Sequence, residues 1–249
     1  MVRGASVARV AVEKITQLIG RLHAKQRIAA PVDKVVKVNL GCGMSVAPGW
    51  INIDGSLNAW VSTKPAWFHP LAYRLAGAKN FYPETFYCET LRDNEFVHHN
   101  LAYGVPLNDK SADFIYSSHF LEHLDRESGR RLLKECLRVL KPCGVLRIGV
   151  PDLGYAWEMY QSGDKEHMLH DYFFVEAEAG YSQHRYAYDY EMLSKTLIDI
   201  GFITVQRARF QQGDIPDLEI LDNRGEYTLF VEARRPSDAP CESQETEVS

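Results

Sequence analysis

Val35-Val36-Lys37-Val38-Asn39-Leu40 is a β-branched run that breaks at Gly41-Cys42-Gly43. β-Branched side chains favour extended backbone, and apolar residues on both faces predict a strand buried inside a parallel sheet. Glycines directly after such a strand let the backbone turn tightly and approach a ligand closely. A lone G-x-G also fits an ordinary turn. Position 46 is Val where the dinucleotide fingerprint requires its third glycine, which argues against NAD or FAD.

Working outward, Trp50-Ile51-Asn52-Ile53 reads as a second strand that ends at Asp54. The gap from Gly43 is too short for a full helix, so a loop or one turn must connect the two. An acid at that strand end can accept hydrogen bonds from both ribose hydroxyls of an adenosine. Taken alone it is equally a turn residue before Gly55. Further strands are expected at Glu95–His98, Asp113–Tyr116, Val145–Val150, Phe202–Phe210 and Tyr227–Ala233. Arg126–Leu140 predicts an amphipathic helix, with Asp125 as N-cap and Pro142 beyond its end. Residues 190–200 predict another, capped by Asp189 and ended by Gly201. Strands alternating with helices imply an α/β fold: a Rossmann-like, doubly wound, mostly parallel seven-stranded sheet with helices on both faces. Ligands on such sheets sit beyond the carboxyl ends of the strands. That rule points to Gly41–Ser45, Asp54, His99–Leu101, Ser117–His123 and Pro151–Asp152.

The rest of the chain divides around this sheet. Residues 5–28 have helical periodicity, stopped by Pro31, so 1–31 is expected to be an N-terminal helical segment. The main domain spans 32–235. Within it, 56–94 lacks a clear period but is dense in aromatics, and it reads as an insertion with its own short helices. The polar tail 236–249 is expected to be disordered.

Composition narrows the function classes. The net charge of −5 argues against a nucleic-acid partner, because phosphate backbones reward clustered Lys and Arg. The basic stretch Arg126–Arg138 is punctuated by acids at helical spacing and reads as a solvated helix face. Five cysteines (42, 88, 136, 143, 241) show no C-x-x-C pair, so reduced thiols and a cytoplasmic protein are expected. No stretch is long and apolar enough for membrane insertion, and charges at Arg9, Glu13 and Lys14 interrupt any secretory leader. A homodimer is left open.

Taken in order, several segments resemble the class I S-adenosylmethionine (SAM)-dependent methyltransferases. They are Asn39–Gly43, Gly49–Asp54, Asp113–His119, Leu121-Glu122-His123, Arg138–Gly144 and Pro151-Asp152-Leu153. The nearest likeness is to a bacterial, methyltransferase type 11-like subgroup often associated with surface-polysaccharide biosynthesis. It is strong over 35–155 and weaker through His184-Arg185, Tyr188-Asp189 and Gly201-Phe202. The resemblance implies SAM as cofactor, held by Asn39, Gly41, Cys42, Gly43, Asp54, Asn100, Leu101, Ser117 and His119. Asn100-Leu101 stands where the family usually has Asp-Leu; the Asn carbonyl can still face an adenine amino group. Cys143 stands where the turn usually has glycine.

His119 follows the fourth strand, which in this fold lies near the transferred methyl. Methyl transfer from a sulfonium needs mainly alignment of the two reactants. A hydroxyl acceptor needs a base as well, a task suited to His119, with His123 as second catalytic candidate. A structural role for His119 at the strand end is the alternative. Glu122 and Asp152 are weaker candidates, and His184, Tyr188 and Asp189 could approach from the far side. The expected reaction is O-methylation of a small-molecule acceptor such as a sugar, without a metal. Two competing readings are a SAM-binding protein without catalysis and a zinc hydrolase. The latter rests on His119-Phe120-Leu121-Glu122-His123, which matches H-x-x-E-H on a helix, with Glu176 or Glu178 as a further ligand.

Overall fold

The computed structural model describes residues 26–31, 33–75, 77–173 and 183–237. β1 (Lys37–Leu40) is buried along Val38, Asn39 and Leu40, and β2 (Ile51–Asp54) is buried throughout. Their parallel register pairs Val38 with Ile51 and Leu40 with Ile53. The aromatic-rich segment that follows folds into α1 (Leu57–Ser62), α2 (His69–Leu75) and α3 (Glu84–Asp93). These helices enclose a small core of their own, built on Met44, Val61, Ala72, Tyr73, Tyr87 and Leu91. The chain then returns as β3 (Phe96–His98), β4 (Ala112–Ser118), α4 (Arg126–Val139) and β5 (Leu140–Pro151). After α5 (Leu153–Ser162) and α6 (Lys165–Met168) come α7 (Tyr190–Ile200), β6 (Ile203–Ala208), α8 (Leu218–Leu221) and β7 (Thr228–Arg234).

One seven-stranded sheet runs β3-β2-β1-β4-β5-β7-β6. Its pairs are parallel from β3 to β5, and β7 lies antiparallel to both its neighbours. The strand order reverses between β1 and β4, the switch point where such sheets bind ligands. On one face Val38, Leu40, Ile115, Leu146 and Ile148 pack against Leu132, Leu133 and Cys136 of α4 and Leu193 and Leu197 of α7. Caps hold both helices: Asp125 accepts from the Ser128 N–H at 2.9 Å, and Asp189 accepts from Met192 at 2.8 Å. On the other face Trp50, Tyr116 and Val145 pack with Ile215, Leu218 and Leu221.

Several expectations need correction. The reading of 5–28 as helix lies mostly outside the described residues, and its end is wrong. Ile28 is extended and bridges Leu107, its N–H donating to Pro106 at 2.8 Å. Lys141–Gly144 turns as expected, but as a bulge within β5, where the pairing jumps from Leu140 to Val145. The helix α5 carried no sequence expectation; its start is capped by Asp152, which accepts from Gly154 at 2.9 Å. Cys143 is disulfide-bonded rather than a free thiol. It sits half-buried on that bulge, where its N–H donates to the Arg235 carbonyl at 3.1 Å. Among the described residues, Cys42, Cys88 and Cys136 are free, and no helix is long and apolar enough to cross a membrane. The tail reading falls almost wholly outside the described residues.

Candidate active site

The turn after β1 and the end of β2 are built as one unit. Gly41 and Gly43 both have left-handed backbone (φ 64° and 54°), a conformation that glycine adopts without steric penalty. At Gly41 a side chain is excluded twice, because a Cβ there would stand 2.1 Å from the Phe120 ring. At Gly43 the same position faces open space. The Asp54 carboxylate ties the turn down: Oδ2 accepts from the Gly43 N–H at 2.9 Å and Oδ1 from the Ser56 N–H at 2.6 Å. Asp54 is 9% exposed, so each carboxylate oxygen keeps lone-pair capacity toward the opening beside it.

That opening is a cleft of about 520 Å³. Gly41, Gly43, Asp54, Asn100, Leu101, His119 and His123 line it, joined by Gly55–Asn58, Phe120, Leu124 and Arg185. A second cavity of about 190 Å³ lies across the glycine turn. Asn39, Cys42, Ser45, Tyr82, Tyr116, Ser118, Asn223 and Arg224 line it, and Gly41, Gly43 and His119 are shared with the cleft.

The expected site residues therefore separate. Asn39 does not reach the larger cleft; its amide donates to the Ser45 carbonyl at 2.9 Å and to Asn52 at 3.1 Å. Cys42 faces the smaller cavity only, its thiol held well above the usual range by burial and then by the charge of Asp54. Ser117 lines neither cavity. Its hydroxyl is buried and donates to the Leu40 carbonyl at 3.0 Å, which ties β4 to β1. Tyr188 is buried in the main core, and Asp152 and Asp189 serve as helix caps. Asn100 accepts from the Ala102 N–H at 2.9 Å and caps the short turn that carries Leu101.

His119 is held on several sides. Its backbone is left-handed (φ 51°), unusual for a residue with a side chain. Its N–H donates to the Gly149 carbonyl at 2.9 Å. Nε2 stands 2.9 Å from Thr228 Oγ1, Nδ1 stands 3.4 Å from Glu122, and Tyr227 packs edge-on against the ring. The stretch 119–123 is not an α-helix. After His119 comes Phe120 and a single 3₁₀ turn, Leu121–His123, so the two histidines are not presented side by side as a helical H-x-x-E-H requires. Glu176 and Glu178, offered for that reading, lie outside the described residues. His184 does arrive at the site: its ring packs 5.3 Å from that of His123, and burial holds its pKa below the ordinary value. The Gly55–Asn58 lining carried no sequence expectation, although these residues directly follow Asp54 and could have been read as part of the same wall.

Residues 74–148 match the family model described as a methyltransferase domain. Over that stretch the chain is similar to a methyltransferase domain. It is an enzyme of SAM-dependent methyl transfer, with SAM as its cofactor. The site fits that cofactor in size and chemistry: the cleft falls in the range of small-molecule sites, Gly43 leaves space where a side chain would intrude, and a carboxylate stands at its wall. Among solved structures, a SAM-dependent methyltransferase of Thermotoga maritima is 17% identical over 82% of this chain and 84% of its own, with a TM-score of 0.44. One from Archaeoglobus fulgidus is 16% identical over 90% and 94%, with a TM-score of 0.46. One from Methanosarcina mazei is 18% identical over 83% and 95%, with a TM-score of 0.44. No curated protein matches the methyltransferase.

Proposed function

We propose that this methyltransferase O-methylates a small polyhydroxylated acceptor of the sugar type, with SAM in the larger cleft and the acceptor approaching from the smaller cavity. The observation that carries this reading is His119, which lines both spaces beside Gly41 and Gly43. Bound SAM supplies an activated methyl group on a sulfonium leaving group. In this reading Asp54 accepts from the ribose hydroxyls, its carboxylate already aimed by Gly43 and Ser56. Gly41 and Gly43 leave room for the methionine and ribose side. Asn100 and Leu101 flank the adenine, the Asn carbonyl oxygen facing its amino group.

His119 is the base. In this reading a neutral ring offers the lone pair of Nε2, the nitrogen that stands beside the Thr228 hydroxyl. An acceptor hydroxyl replaces Thr228 as the partner of Nε2 and gives up its proton there as its oxygen attacks. Alignment supplies most of the acceleration, and proton removal adds about 10²–10⁴-fold. Tyr82, Asn223 and Arg224 give the smaller cavity one aromatic face and several donors, a combination that suits a sugar ring. Tyr82 comes from the aromatic-rich segment, whose other rings mostly build its own small core. Incubation with labelled SAM and a panel of nucleotide sugars, glycans and small phenols tests the reading. Label on a sugar hydroxyl is expected, and transfer only to protein or nucleic acid would overturn it.

A further inference from the structure

Behind His119 the structure gathers groups for which methyl transfer gives no reason. Glu122 is 2% exposed, and neither carboxylate oxygen accepts a hydrogen bond from any described residue. A buried carboxylate without donors carries a large desolvation penalty. Its neighbours at closest range are imidazoles: His119 Nδ1 at 3.4 Å and His123 Nε2 at 3.9 Å. His184 completes the group, one ligand atom from each of Glu122, His123 and His184 lying within 4.8 Å of the other two.

The outward bonds of the two histidines fix what they present inward. His123 Nδ1 lies 3.2 Å from the Gln183 carbonyl, and His184 Nδ1 lies 2.8 Å from the Tyr172 carbonyl. A carbonyl oxygen only accepts, so each Nδ1 carries the proton and each neutral ring keeps its lone pair on Nε2. Metal-binding histidines are oriented in this way, with the second nitrogen donating to backbone. Two imidazoles and a buried carboxylate without a hydrogen-bond partner thus gather in one small volume, a set of donors that suits a divalent cation.

We infer that Glu122, His123 and His184 form a binding site for one divalent transition-metal ion of the zinc type. Ligands on tetrahedral zinc stand roughly 3.3 Å apart, so side-chain motions of about an ångström bring these atoms to coordination distance. The backbone is set for it, since the Glu122 carbonyl accepts from the Arg185 N–H at 2.7 Å and locks segment 183–186 against the turn. This site is not the helical H-x-x-E-H arrangement. There His119 and His123 would be ligands and Glu122 a base, whereas here Glu122 is a ligand and His119 remains turned to Thr228. His123 lines the larger cleft and not the smaller cavity, so metal binding here does not depend on the proposed acceptor chemistry.

The test is titration of the full chain, purified without a histidine tag and stripped by chelator, with Zn²⁺ in competition with a chromophoric chelator and with Co²⁺ by absorption. One equivalent of zinc is expected with micromolar or tighter affinity, with the intense visible bands of a low-coordinate cobalt site. Glu122→Gln and His184→Ala should each weaken binding at least tenfold, with circular dichroism confirming the fold. Imidazole nitrogen shifts of the wild-type protein make the result independent of the variants. Zinc should move Nε2 of His123 and His184, with no zinc–nitrogen signature at His119. Absence of stoichiometric zinc, binding that both folded variants retain in full, or a zinc signature on other histidines would each overturn the site. A proton held on His123 Nε2 in the presence of zinc would do so too, because it identifies an ion pair with Glu122 instead. All these readouts are of binding, so they stand apart from any failure to find a sugar acceptor.

Discussion

His119 Nε2 stands 2.9 Å from Thr228 Oγ1, a contact that reaches from the loop after β4 across β5 to the first residue of β7. In the proposed mechanism Thr228 is a positioning residue that holds the base until the acceptor arrives. Thr228→Val keeps the shape and removes the hydroxyl. Turnover should fall about tenfold while affinity for S-adenosylhomocysteine (SAH) stays unchanged; His119→Ala should cost about 10²–10⁴-fold in kcat. Steady-state kinetics beside calorimetry separate the two effects. Equal losses in turnover and SAH affinity would mean that the contact merely shapes the cleft.

The two glycines of the turn should respond differently to alanine. Gly43→Ala introduces strain alone, since its side-chain position is open, and should cost about 1 kcal/mol. Gly41→Ala adds the clash with Phe120 to the same strain, so its loss in urea unfolding should exceed that of Gly43→Ala by about 1–3 kcal/mol. Phe120→Ala combined with Gly41→Ala should recover part of that difference. Simple additivity of the two would show that the ring is not what excludes the side chain.

Arg147 is wholly buried and bridges Asp222 and Glu232, with the Glu232 contact at 2.9 Å. Asp222 also accepts from the Tyr116 hydroxyl at 3.1 Å, next to the Leu221 and Asn223 that line the smaller cavity. Arg147→Leu leaves two buried carboxylates without their cation and should destabilise by about 3–5 kcal/mol. Urea denaturation measures it, and a loss below about 1 kcal/mol would contradict the network's role.

Asp217 accepts from Lys37 Nζ at 2.6 Å and from the Trp50 indole at 2.8 Å, and the Lys37 bond foremost holds its pKa below the ordinary value. A carboxyl lowered on folding contributes stability above its unfolded pKa and loses it as pH falls through the folded one. With an ordinary Asp near 3.9, the pair should be worth about 0.5–1 kcal/mol at neutral pH and fade below about pH 4. The stability gap between wild type and Lys37→Met, followed by urea unfolding over that range, should close in acid. A gap independent of pH would assign it to packing of the lysine stem on Trp50.

The sheet was legible because its signals are local. β-Branched runs, the glycine turn, the Asp125 and Asp189 caps and Gly201 each act within a few residues. Much of the cleft wall was legible too, because the strand-end rule names Gly41, Asp54, Asn100 and His119 without knowledge of packing. What stayed hidden depends on contacts distant in sequence. Ser117 turns inward because the Leu40 carbonyl lies on the neighbouring strand. His119 owes its orientation to Thr228, 109 positions away. The meeting of His184 with Glu122 and His123 depends on segment 183–186 docking on the turn, which no periodicity encodes.

Central to this account is Asp54 as the anchor of the cofactor ribose, and calorimetry with SAH on wild type and Asp54→Ala tests it most directly. Loss of charge-assisted bonds to the ribose should weaken binding by about 1.5–3 kcal/mol, roughly tenfold to more than a hundredfold. Urea unfolding of Asp54→Ala checks that the turn it ties down survives the loss of its bonds to Gly43 and Ser56. An unchanged SAH affinity in a folded Asp54→Ala protein would remove Asp54 from the site and contradict the account.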